Sequence, residues 1–181
     1  WLMVHQQDPC GLMVFDDRIR LSLPARSKRS QIAEVLSLLT RVQPSGATDI
    51  AKSLVQAGAM LRHRSLLMVF SDLLADPEPI RDALNRLRHR GHDVILFHVL
   101  DEAEERFPYE GMVELTDPEA DSKLVIDADA ARSGYLESVQ SFREDYRRSC
   151  FQAGIDYVPI DTSMQFDRAR TGYLASRRNR F

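Results

Sequence analysis

Thr48 and Asp72 are the two oxygen-bearing residues whose positions in the chain most suggest chemistry. Asp72 follows an apolar run over residues 65–70, and Thr48 opens a stretch with Ile50, Leu54, Ala57 and Leu61 at helical spacing. If the run is a strand and the stretch a helix, both residues fall on loops beyond the carboxyl ends of strands, where open parallel sheets bind ligands. A hydroxyl and a carboxylate there are hard donors suited to Mg²⁺, which takes few protein ligands at about 2.0 to 2.1 Å and keeps several waters. Spacing alone also fits a plainer role, because Thr and Asp at loop starts commonly cap helices and close turns.

Other reactive side chains form weaker patterns. Asp101, Glu102, Glu104 and Glu105 follow a second apolar run, so paired carboxylates for acid and base work come into view, against a solvated helix start as the simpler reading. A metal-dependent hydrolase or phosphotransferase could draw on Asp72 with Asp49 or Asp101, but no nucleophile and base are recognisable beside them. Ser71 has no histidine nearby in sequence to activate it, and Asp16 and Asp17 read as turn residues. His5, His63, His89, His92 and His98 never take the i, i+4 spacing of a zinc helix, and His98 within an apolar run reads as a hydrogen-bonded core residue. GxSxG, GxGxxG and Walker A phrases do not occur, so a nucleophile elbow, a dinucleotide fingerprint and a phosphate loop all lack support.

The elements that must position these residues follow from periodicity. Residues 10–15 and the alternating stretch 18–23 predict a hairpin around Asp16-Asp17, with its second strand half exposed. Ser27 or Ser30 can cap a helix with Ile32, Val35, Leu36, Leu39 and Val42 on one face, stopped by Pro44 and Gly46. The next helix begins near Thr48, with Asp49 in its first turn. Residues 65–70 predict a fully buried strand, Asp76-Pro77 a helix start with Ile80, Leu84 and Leu87 inward, and Gly91 its end. Residues 94–100 predict another buried strand, and residues 113–115 and 124–126 an edge hairpin. A long helix carrying Tyr135, Val139, Phe142, Tyr146 and Cys150 ends at Gly154. Residues 157–160 form an edge strand because Pro159 cannot donate to a ladder, and Ser163 opens a last helix with Phe166, Ala169, Tyr173 and Leu174. Strands alternating with helices predict parallel βαβ units in one domain.

Composition narrows the partners. A net charge of -3, from 24 basic and 27 acidic residues interleaved, supplies no field for nucleic acid or anionic lipid, and Arg177, Arg178 and Arg180 read as a solvated end. Apolar runs fall far short of the 18 or so residues that span a bilayer, so no membrane segment is expected. Residues 1–4 lack the features of a signal peptide and look like the end of an element whose beginning is absent. Cys10 and Cys150 have no CxxC companion, which favours a reduced, cytoplasmic setting.

The phrases DPCGLMVFDDRI, PSGATDIAKSL, LLMVFSDLLAD and RGHDVILFHVLDEAEERFP, in this order and with the late YVPIDT, resemble the von Willebrand factor type A-like family known as domain of unknown function fifty-eight, over nearly the whole chain. The resemblance implies a Rossmann-like α/β fold with an open, mostly parallel sheet and helices on both faces. It also implies a metal-ion-dependent adhesion site built from an Asp-x-Ser-x-Ser loop, a Thr and an Asp on three loops, the second and third of which match Thr48 and Asp72. The first loop has no counterpart, and the pattern places residues 1–7 at the end of the helix that follows it. The expectation is therefore one von Willebrand A-like domain over residues 1–181, incomplete at its N-terminus and without its first central strand. That strand would lie between the strands at 11–15 and 65–70, leaving two unpaired edges and a chain prone to aggregate. Function by resemblance is protein binding assisted by Mg²⁺, with an acidic side chain of the partner completing the coordination, and no enzymatic activity. Association with MoxR-type AAA+ ATPases, common in the family, makes such an ATPase or its client the expected partner. A structural domain with no metal site is the remaining alternative.

Overall fold

The computed structural model describes residues 6–43, 47–117 and 122–163. It opens with the hairpin that alternation predicts: β1 (Cys10–Phe15) pairs antiparallel with β2 (Ile19–Arg26). Helix α1 (Gln31–Leu39) lies against it. The anchor is polar, since the Nε2 of fully buried Gln31 donates to the carbonyls of Cys10 at 2.7 Å and Pro24 at 2.9 Å. The apolar stripe predicted for this helix is not buried: Leu36 is 57% exposed and Leu39 49%, and Val42 lies beyond the helix. A two-stranded ribbon is too narrow to cover that face.

Helix α2 (Ile50–Met60) starts one residue later than Asp49, which is its N-cap and not part of its first turn; the Asp49 carboxylate accepts from the Lys52 N–H at 2.9 Å. Strand β3 (Leu66–Ser71) follows, then α3 (Pro77–His89), capped by Asp76 with Pro at its first position and ended before Gly91 at φ 84°. Strand β4 (Asp93–Leu100), the short helix α4 (Glu102–Arg106), the hairpin β5 (Met112–Asp117) with β6 (Ser122–Asp127), the long α5 (Ala128–Ala153) and strand β7 (Asp156–Asp161) complete the order. Gly154, at φ 67°, ends α5 in the left-handed conformation that glycine adopts without a Cβ clash.

The main sheet has the order β3-β4-β7, all parallel, and no barrel closes among the described residues. The protein is thus α/β with an open parallel sheet flanked by helices. Val69, Val94 and Leu96 point to one face and share a core with Ile50, Leu54 and Leu73, with Ile80, Leu84 and Leu87 of α3, and with Tyr146 and Cys150 of α5. Each such side chain contributes roughly 1.5–3 kcal/mol on burial. Among the described residues β7 is an edge strand, as Pro159 predicts, and β5 and β6 pair with each other and not with the main sheet.

Residues 65–70 depart from the fully buried strand predicted. In β3 only Val69 is buried, while Leu66, Met68 and Phe70 on the opposite face are 36%, 45% and 57% exposed. A continuous apolar run does not report whether both faces of a strand are covered, and among the described residues β3 pairs with β4 alone. The helix expected from Ser163 onward, the turn at Asp117-Pro118 and the helix stop at Pro44 and Gly46 fall wholly or partly outside the described residues.

Candidate functional site

Asp72 is exposed at the carboxyl end of β3, as its position in the sequence predicts. Its Oδ1 accepts from the Leu74 N–H at 3.3 Å and, at the 3.5 Å limit, from the Ser71 hydroxyl. The Leu73 N–H in turn donates to the Ser71 Oγ at 3.1 Å. Leu73 is wholly buried at φ 60°, a left-handed conformation that costs an L residue roughly 1–2 kcal/mol. The turn survives because the Leu73 side chain is locked into the core while its backbone faces the rim.

Beneath the turn sits His98 of β4, 1% exposed and opposite Ser71 in the parallel register. Its Nε2 lies 2.9 Å from the Asp72 carbonyl and its Nδ1 2.6 Å from the Tyr157 hydroxyl of β7. A carbonyl can only accept, so Nε2 carries the proton and Nδ1 accepts from the Tyr157 O–H. Burial lowers the His98 pKa below 6.5, opposed by the Asp72 carbonyl and assisted by the positive charge of Arg143, so the neutral ring is favoured. Burial likewise pushes the Tyr157 phenol up to about 12. The expectation of a hydrogen-bonded core histidine holds. Both ring nitrogens are engaged elsewhere, so His98 does not serve as a base for the adjacent Ser71 hydroxyl.

Thr48 is exposed and immediately precedes Asp49, the cap of α2. Its loop is tied to the β1–β2 turn: the Asp49 N–H and the Ser53 hydroxyl donate to the Asp16 carbonyl at 3.0 and 3.1 Å. Two residues on, Ile50 enters the core that also holds Leu73, so the chain next to Thr48 and the chain next to Asp72 pack into one cluster. The Thr48 hydroxyl makes no hydrogen bond among the described residues, and the second oxygen of Asp72 makes none either. Among those residues no three His, Cys, Asp or Glu side chains group as a metal site. Thr48 brings a hydroxyl and Asp72 a carboxylate, each a hard oxygen of the kind Mg²⁺ takes.

The acidic stretch is a helix start. Asp101 caps α4 in a capping box: its carboxylate accepts from the Ala103 N–H and Glu104 reaches back to the Asp101 N–H, both at 2.9 Å. The Ala103 N–H and the Thr162 hydroxyl hold the Asp101 carboxyl below its ordinary range. Glu102 pairs with Arg106, and Glu105 with Arg143 of α5. A pocket of about 80 Å³ lies beside them, lined by His98, Leu100, Glu105, Arg143, Pro159, Ile160 and Asp161. Cys10 and Cys150 are free thiols; burial pushes Cys150 up to about 12, which makes it an inert core residue.

Sequence reasoning missed Leu73 and the His98–Tyr157 pair. Leucine carries no signal for a left-handed turn, and the two partners are 59 residues apart, joined only when β4 and β7 pair.

A family model described as protein of unknown function DUF58 matches residues 1–145, and the chain belongs to that family. No curated protein and no solved structure matches it.

Proposed function

We propose that this member of the DUF58 family is a protein-binding module of von Willebrand A type, assisted by a divalent cation and acting with a MoxR-type AAA+ ATPase or its client. One observation carries the reading: Asp72 stands exposed on a backbone turn that is fixed from below at the carboxyl end of a parallel strand, with one carboxylate oxygen unengaged among the described residues. Binding sites on such sheets occupy this edge, and a site that must present a carboxylate repeatedly in one direction needs a rigid mount. Thr48, on a loop whose neighbouring residue packs in the same core, supplies the second oxygen. A bound Mg²⁺ offers an open coordination position to an acidic side chain of the partner. Thr48 and Asp72 hold and orient, and no proton or bond need move on this chain, so the module is not an enzyme.

Calorimetric titration of the full chain with Mg²⁺ and Mn²⁺ tests the cation, and capture of a MoxR-type ATPase with and without chelator tests the partner. Asp72→Asn and Thr48→Ala are expected to weaken cation binding about tenfold or more, because loss of even an outer-shell group costs that much. A partner interaction indifferent to chelator defeats the mechanism.

A further inference from the structure

We propose that His98 is the positioning residue of the Asp72 turn, its Nε2–H fixing the Asp72 carbonyl and thereby the direction in which the carboxylate is presented. Its use in binding rests on the reading of Asp72 as a cation ligand; its geometry does not.

The peptide unit between Asp72 and Leu73 has two polar atoms, and both are held. Its carbonyl oxygen accepts from His98 and its N–H donates to the Ser71 Oγ. Pinning both ends of one planar unit fixes the backbone torsion on either side of it, and so the departure of the Asp72 side chain and the left-handed φ of Leu73. β3 has ended at Ser71, so the sheet ladder does not perform this task. His98 is itself fixed: the Asp72 carbonyl requires the proton on Nε2, the Tyr157 O–H donates to Nδ1 and orients the ring, and the rings of Phe142 and Tyr157 lie 5.6 and 5.8 Å from it by centroid. The chain of hydrogen bonds thus runs from Tyr157 of β7 through His98 of β4 to Asp72, the residue that follows β3 at the rim. A histidine that merely filled the core would require neither an acceptor beyond the strand end nor a partner at its other nitrogen.

Amide hydrogen exchange and Mn²⁺ titration on the same proteins test this, using His98→Leu, His98→Gln and Tyr157→Phe. Gln retains an N–H near the Nε2 position, Leu retains none, and Tyr157→Phe leaves the ring but removes the hydrogen bond to Nδ1 that orients it. In His98→Leu the amides of Leu73, Leu74 and Ala75 are expected to exchange about five- to tenfold faster, the effect of losing one net hydrogen bond, with Ile95 and Leu96 unchanged. His98→Gln should stay close to the parent and Tyr157→Phe fall between, with Mn²⁺ affinity falling in the same order. Turn amides that keep their rates in Tyr157→Phe and His98→Leu overturn the proposal, as does a rise equal to that of β4, which marks a merely structural role. Should His98→Leu fail to fold, Tyr157→Phe against His98→Gln carries the same comparison. If the parent takes up no Mn²⁺ while the turn amides respond as stated, the cation reading fails and the positioning role stands.

Discussion

At the residue scale, Leu73 sets two penalties against each other. A left-handed backbone at a leucine costs roughly 1–2 kcal/mol, whereas truncating a fully buried leucine typically costs about 2–5 kcal/mol. Burial is the larger, so the side chain dictates the turn and the backbone accepts the strain. Leu73→Gly, which relieves the torsion but empties the core position, is therefore expected to destabilise the protein by about 2 kcal/mol or more in urea unfolding. A Leu73→Gly protein more stable than the parent would show that strain, not packing, dominates at this turn. The same residue explains why Asp72 is offered at the rim without a glycine beside it, although turns that need a positive φ usually recruit one.

At the scale of elements, the β1–β2 turn couples the hairpin to the Thr48 loop through the Asp16 carbonyl, and its carboxylate is held by Arg20. Burial raises the Asp16 pKa, but hydrogen bonds from the Arg20 guanidinium and the Arg18 N–H outweigh it and bring it to about 2 from 3.8. A folded pKa below the unfolded one means that the contribution is present above about pH 4 and is lost as pH falls toward 2. Asp101, lowered by its cap hydrogen bond and by Thr162, works in the same direction. Urea midpoints measured from about pH 6 down to pH 2 should therefore decline at the acid end, and Asp16→Asn should flatten part of that decline. An equal slope in parent and variant would mean that the ion pair with Arg20 does not persist in solution. Two helix boundaries were legible in the sequence, Asp76 before Pro77 and Gly154 after α5, because each acts within a few residues of the chain.

For the whole molecule, the two faces of β3 differ. Val69 is 7% exposed against the helices, while Met68 beside it is 45% exposed on the face that also carries Leu66 and Phe70. A strand that pairs on one side among the described residues and shows an apolar row is a site for self-association. Met68→Glu is expected to suppress turbidity on heating while shifting the melting temperature by only a few degrees, as surface changes usually do. Val69→Glu, in contrast, should prevent folding, because it buries an unpaired charge. Turbidity unchanged in Met68→Glu would show that this face is covered in solution.

The sequence by itself determined the order of strands and helices from residue 10 to residue 161, the α/β class, the parallel pairing and the placement of Asp72 and Thr48 beyond strand and at helix start. It did so because periodicity, caps and breakers act over a few residues and are written in consecutive side chains. Only the tertiary structure decided that among the described residues β3 is covered on one face, that β5 and β6 pair with each other and not with the main sheet, and that the apolar stripe of α1 stays half exposed. It alone also joined Tyr157, His98 and Asp72. Burial depends on what packs from elsewhere in the chain, and hydrogen bonds between residues 26 and 59 positions apart arise only when strands are laid side by side.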